Sequence, residues 1–112
     1  MTTEPTLIEV FGANATQTAD TLTISKIDLT STGLTASATN TAESLLIAIM
    51  LKFKTTLTDE ARDLNIDQSV AVVDGFSPSI TTRNDLIYLR NTISVEIDRL
   101  LAGANTIDPD LY

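Results

Sequence analysis

From Leu7 the residues LIEVF alternate when extended, with Leu7, Glu9 and Phe11 on one side and Ile8 and Val10 on the other. Gly12 ends the run, so the pattern predicts a short strand followed by a turn or loop over ANATQTAD. TLTISKIDL then alternates again. Leu22 and Ile24 share a face opposite Thr21, Thr23 and Ser25, and the phase slips at Lys26 before Ile27 and Leu29 resume the apolar side. A slip of one residue moves every side chain to the other face, as at a bulge or a strand end. TSTGLTASATN around Gly33 is loop chemistry.

The clearest helix signal follows. Asn40 with Glu43 three residues on approximates a capping box, and Ala42, Leu45, Leu46, Ile49, Met50 and Phe53 recur at helical spacing. Ile47 and Leu51 widen the stripe, which predicts a helix covered on more than one side, by a sheet and by a partner chain. Lys52 and Lys54 fall near its C-terminal end, where the helix dipole favours cations. Thr58, Asp59 and Glu60 suit the start of a second, short helix. From Gln68 onward SVAVVDG, FSPSITT, DLIYLR and TISVEIDRLL read as strands, with Pro78 marking an edge or an irregular stretch. The fold class expected is α+β. One main apolar helix, at about residues 41–56, packs on a mainly antiparallel sheet of four to six short strands, with extended N- and C-terminal segments. The expectation is one domain over residues 1–112, with a flexible arm at 1–6 and a C-terminal tail at 103–112.

Composition narrows the function more than the fold. The chain of 112 residues has no cysteine and no histidine. Disulfides, thiolate nucleophiles, cysteine-ligated zinc, and the Ser-His-Asp and Cys-His arrangements are therefore outside its reach. Aromatic residues make up only 4%, so the core must be aliphatic. A net charge of −8 repels nucleic acid and anionic membranes, and no window is rich in Lys or Arg. MTTEPTLIEV lacks the basic and apolar regions of a signal peptide. LLIAIMLKF, interrupted by Lys52, is too short to cross a bilayer as a helix. No enzyme activity, cofactor, direct nucleic-acid contact or membrane contact is expected.

One local pattern carries possible chemistry. In DLNIDQSVAVVD, Asp63, Asn65, Asp67, Ser69 and Asp74 fall at loop positions one, three, five, seven and twelve of an EF-hand-like calcium site. Gln68 occupies the place where glycine makes the sharp turn, Asp74 is shorter than the usual glutamate, and the following residues read as a strand. The favoured reading is a solvated acidic loop between helix and strand. Asp59, Asp63 and Asp67 likewise read as a solvated helix face, and Asp28 and Asp98 as ordinary surface charges. Among apolar and aromatic residues, Phe11, Ile47, Leu51, Leu111 and Tyr112 are the interface candidates.

The features that survive are architectural. VFGANATQTADTLTISKIDL, followed by GLTASATNTAESLLIAIML, resembles small accessory structural proteins of tailed bacteriophages and prophages over roughly the first half of the chain. Such proteins decorate the capsid or complete the neck or tail. The resemblance is one of element order and transfers no residue roles. It implies a non-enzymatic virion subunit, made in the host cytoplasm, that acts as a homo-oligomer and against other virion proteins. Head decoration leads, and neck or tail completion follows. A monomeric protein-binding module or small inhibitor is the first rival. A carboxylate- or calcium-dependent domain is the second. Calorimetry with and without calcium tests the latter: a native-state site raises the unfolding temperature, and the expected outcome is no shift.

Overall fold

The computed structural model describes residues 3–99 and 107–112. The class is α+β, with helices and antiparallel strands, as the hydrophobic pattern predicts. Among the described residues, however, the strands form three separate two-stranded ladders rather than one sheet.

The first departure lies at the start. Leu7–Phe11 is a short helix, α1, and not a strand. Thr6 and Glu9 form a capping box: the Thr6 hydroxyl accepts from the Glu9 N–H at 3.1 Å, and the Glu9 carboxylate accepts from the Thr6 N–H at 3.1 Å. Five residues alternate as readily as they coil, and these two reciprocal bonds decide for the helix. Upstream, Thr3 and the Asn65 side chain exchange two hydrogen bonds at 3.1 and 2.7 Å.

The expected long strand after Gly12 is also replaced. Thr16–Gln17 (β1) and Leu22–Thr23 (β2) form a minimal hairpin, and Lys26–Thr32 is a 3-10 helix that begins where the alternation slips. Asp28, read from sequence as an ordinary surface charge, is a clamp. Its carboxylate accepts from the Asn14 N–H at 2.8 Å and from the Asn14 side-chain amide at 3.0 Å. Gly12 permits this closeness. Its φ is +117°, and a Cβ there would lie 2.4 Å from the Asp28 Cβ.

The main helix, α2, spans Ala42–Thr56. Thr41 caps it by accepting from the Ser44 N–H at 3.1 Å. Asn40, the expected cap, instead closes the preceding loop, accepting from the Ser37 N–H and donating to the Thr35 carbonyl, both at 2.9 Å. The helix is not clearly apolar: Glu43, Ser44, Lys52 and Lys54 share its circumference. Ala48 is its one fully buried residue, while Ala42, Leu46 and Ile47, expected under cover, are exposed. Its main neighbours are α1, the 3-10 helix and one strand. α3 is Asp59–Leu64, capped as expected by Thr58, whose hydroxyl accepts from the Ala61 N–H at 3.0 Å.

The remaining strands build one long ribbon. Val70–Asp74 (β3) pairs antiparallel with Ile93–Ile97 (β6), and Ser79–Arg83 (β4) pairs with Leu86–Arg90 (β5). The pairing continues to Gly75, whose N–H donates to the Thr92 carbonyl at 2.8 Å. Phe76, Ser77 and Pro78 then lie across from Asn91 alone, a bulge that separates the proximal ladder from the distal one. Pro78 marked this irregularity in the sequence. At the tip Asn84 and Asp85 have φ of 50° and 63°, the left-handed pair that a two-residue type I′ turn requires.

The core sits on β3. Successive strand residues point to opposite faces, yet Ala71 and Val72 are both buried. The face that carries Val72 looks toward α1 and α2. The face that carries Ala71 looks toward α3, where Arg62 reaches Glu96, the cross-strand partner of Ala71, at 2.6 Å. The Val72 N–H also donates to the Leu57 carbonyl at 2.7 Å, which ties the α2–α3 connection to the strand edge.

The close approach at Gly12 gives a direct test. Gly12→Ala combines a strained φ with a collision against Asp28 and is expected to destabilise the chain by about 2 kcal/mol or more. Urea denaturation of the variant beside the parent measures it, and an unchanged midpoint would contradict the clamp.

Candidate functional site

Two features stand out among the described residues: an apolar cavity and an extensive uncovered apolar surface. The cavity has a volume of about 650 Å³ and lies between α1, α2 and the β3–β6 ladder. Val10, Phe11, Met50, Phe53, Val72 and Val95 form much of its apolar wall. The capping box aims α1 at this wall, and the Thr56 hydroxyl fastens α1 to α2 by donating to the Glu9 carbonyl at 3.0 Å. Phe11 then meets Phe53 edge-on, with ring centroids 5.4 Å apart at 83°.

At the cavity's polar end sits Gln68, the one buried polar residue among those described. Its amide donates to the Thr58 carbonyl at 3.1 Å and to the Val70 carbonyl at 2.9 Å, joining the start of α3 to β3. This residue was not singled out as structural from sequence. A glutamine bordering a run of strand residues carried the only signal. Tyr112 also lines the cavity and is half-buried there, within its own chain.

The five oxygen-bearing residues of the calcium pattern are not gathered into a loop. Asp63 lies within α3 and faces Arg62, with Oδ1 3.5 Å from Nε. The Asn65 carbonyl oxygen of the side chain is occupied by the N–H groups of Thr3 and Asp67, both at 3.1 Å. The Ser69 backbone carbonyl accepts from the Asp98 N–H at 2.7 Å. Asp74 closes the far end of β3, where it pairs with Lys54 of α2. The first four residues of β3 therefore separate Asp74 from Ser69 and the rest, roughly 16 Å of extended chain. Among the described residues no group of three or more Asp or Glu side chains could hold a metal ion. Asp98, read as an ordinary surface charge, joins Glu96 and Asp63 around Arg62. The hydrogen bond that Arg62 donates to Glu96, aided by the nearby carboxylates and opposed by burial, raises the Arg62 pKa above its usual value, so the guanidinium stays charged.

The interface candidates divide by place. Phe11 and Tyr112 belong to the cavity. Ile47 and Leu51 line a groove of about 590 Å³ between α2 and the root of the distal ladder, with Phe76 and Ile93 on its other side. The side chain of Leu111 lies outside what is described. Sequence reasoning did not single out the distal ladder itself. Its register puts Ile80, Thr82, Ile87 and Leu89 on one face, and Ile80, Ile87 and Leu89 are 73%, 77% and 67% exposed. On the opposite face the Arg83 guanidinium stacks on the Tyr88 ring, 4.2 Å from its centroid, and Tyr88 is half-buried.

Compared with protein-family models, curated proteins and solved structures, the chain matches none. No helix among the described residues is long and apolar enough to cross a membrane.

The Phe11 contact is open to test. Phe11→Ala removes a half-buried ring and its edge-on partner, and is expected to cost about 2 kcal/mol. Thermal unfolding would show this as a lowered midpoint, and full retained stability would rule out a packing role for α1.

Proposed function

We propose that this chain is a non-enzymatic structural subunit that acts by protein–protein contact, of the kind that decorates or completes a bacteriophage particle. The observation that carries the reading is its surface. The chain exposes 8487 Å². A compact monomer of 12.0 kDa exposes about 6,000 Å². The surplus is therefore about 2,500 Å², and standard protein interfaces take about 800 Å² from each partner.

The makeup of that surface supports the same reading. Leu64, Ile66 and Phe76 are more than four-fifths exposed, while three of the six buried apolar residues among those described are alanines. A core this small leaves stability to be completed by neighbours. The radius of gyration, 16.5 Å, points the same way, because about 13 Å is usual for a compact domain of this length. The virion setting rests on the sequence resemblance alone, since the two strands expected in that half are helix α1 and a minimal hairpin followed by a 3-10 helix. The cavity favours a second reading, a monomeric binding module that takes an apolar peptide side chain between α1 and α2.

Light scattering behind a sizing column, over a range of concentrations, tests the first. A discrete oligomer well above 12.0 kDa is the expected result, and its order gives the symmetry. A monomer at every concentration would overturn self-assembly and leave either a subunit that assembles only on a partner lattice or the binding module.

A further inference from the structure

We propose that the cavity between α1, α2 and the β3–β6 ladder binds a small, uncharged apolar molecule that carries a hydrogen-bond donor, with the side-chain oxygen of Gln68 as its acceptor. The inference goes beyond the subunit reading and does not rest on it.

The cavity measures about 650 Å³ with Tyr112 already in place on its lining. A dry apolar cavity of about 150 Å³ suffices to take up benzene, and sites for small molecules run from about 300 to about 1,000 Å³. Well-packed interiors leave few voids larger than a water molecule. The space is therefore of the size of a ligand site. One of its walls is set before any ligand arrives, because the capping box and the Thr56–Glu9 bond hold α1 in position.

The lining selects the class of ligand. Val10, Phe11, Met50, Phe53, Val72 and Val95 present aliphatic and aromatic surface. Among the described residues of the lining there is no Lys or Arg, and the one charged side chain is Glu4, which is exposed. A carboxylate or phosphate group would meet no cation there and would enter a chain of net charge −8. A cation fares little better, since Glu4 is too exposed to repay its burial. An uncharged molecule is left.

Gln68 supplies the polar contact. It is 6% exposed and borders the cavity. Its amide nitrogen donates to the Thr58 and Val70 carbonyls, which spends both hydrogens and fixes how the amide is turned. What remains is Oε1, an acceptor for which the described residues provide no donor. No buried side-chain oxygen or nitrogen among the described residues is both sealed from solvent and unpaired. Oε1 therefore opens onto free space, and the space that Gln68 borders is the cavity. An acceptor left without a donor in an apolar site costs stability. A ligand hydroxyl satisfies it, while the rest of the ligand removes the apolar wall from water.

Octanol is the probe, compared on the full chain with methyl octyl ether and with octanoate. The ether keeps the alkyl chain and the oxygen but has no donor. Octanoate keeps the alkyl chain and brings a negative charge. Titration calorimetry is expected to show saturable binding of octanol, one molecule per chain, with ether and octanoate each about tenfold weaker or more. Met50 carries one of only two methionine methyl groups in the chain, so its NMR signal is readily assigned. That methyl is expected to show cross-relaxation with octanol protons. Val95 lines the cavity yet is 51% exposed, so Val95→Phe should fold, fill part of the space and weaken octanol about tenfold.

Octanol that fails to saturate, or that makes no contact with the Met50 methyl, overturns the site. Equal affinity for alcohol and ether overturns the proposal in favour of a purely apolar occupant such as a peptide side chain. Tighter binding of octanoate overturns it, and so does a folded Val95→Phe chain that binds octanol as the parent does. None of these results bears on the subunit reading, whose test is the mass in solution.

Discussion

Burial of β3 on both faces is the constraint on which the described structure depends. Ala71 and Val72 point in opposite directions, and each is shut away from water. One direction requires α2 and α1, and the other requires α3 with its Arg62 cluster. The backbone of the same strand is held by β6 on one side and by the Leu57 carbonyl on the other. Each helix therefore has a reason to be where it is. Small residues do much of this packing, so the elements lie close but little apolar area is removed from water. A tight, narrow core and a large uncovered surface are two results of the same choice of residues.

Much of this was legible along the chain, and the losses have local causes. The strands after Gln68 and the two capped helices show strong periodicity and end signals, and they form where expected. Leu7–Phe11 is too short for alternation to discriminate, whereas Thr6 and Glu9 carried a capping-box signature that overrides it. The stretch from Leu22 to Leu29 breaks at Lys26 because the chain turns there into a 3-10 helix, and Asp28 is needed to hold the Asn14 turn. Asn40 and Thr41 are both good caps, and only the loop geometry assigns Asn40 to its own carbonyl and amide partners.

The candidate site was less legible. Ile47 and Leu51 were visible because a helix stripe is a one-dimensional pattern. Ile80, Ile87 and Leu89 look like ordinary strand residues, and their exposure is a fact of tertiary structure. The spaced oxygens from Asp63 to Asp74 illustrate the reverse. Their spacing matches a calcium loop, but a helix end and a full strand run through it, so the side chains disperse to Arg62, Lys54 and backbone amides. Spacing brings ligands together only when the backbone between them curls.

The type I′ turn at Asn84–Asp85 has a consequence for how the chain finds its fold. β3 and β6 are distant in sequence, and pairing them directly would mean closing a long loop at an entropic cost. The turn brings β4 against β5 through contacts between near neighbours, on the microsecond scale typical of hairpins. Once those strands are zipped, only the short bulge separates the paired region from Gly75 and Thr92, and the β3–β6 ladder can propagate from there. The ladder that the bulge sets apart from the core is thereby the one that shortens the search for it.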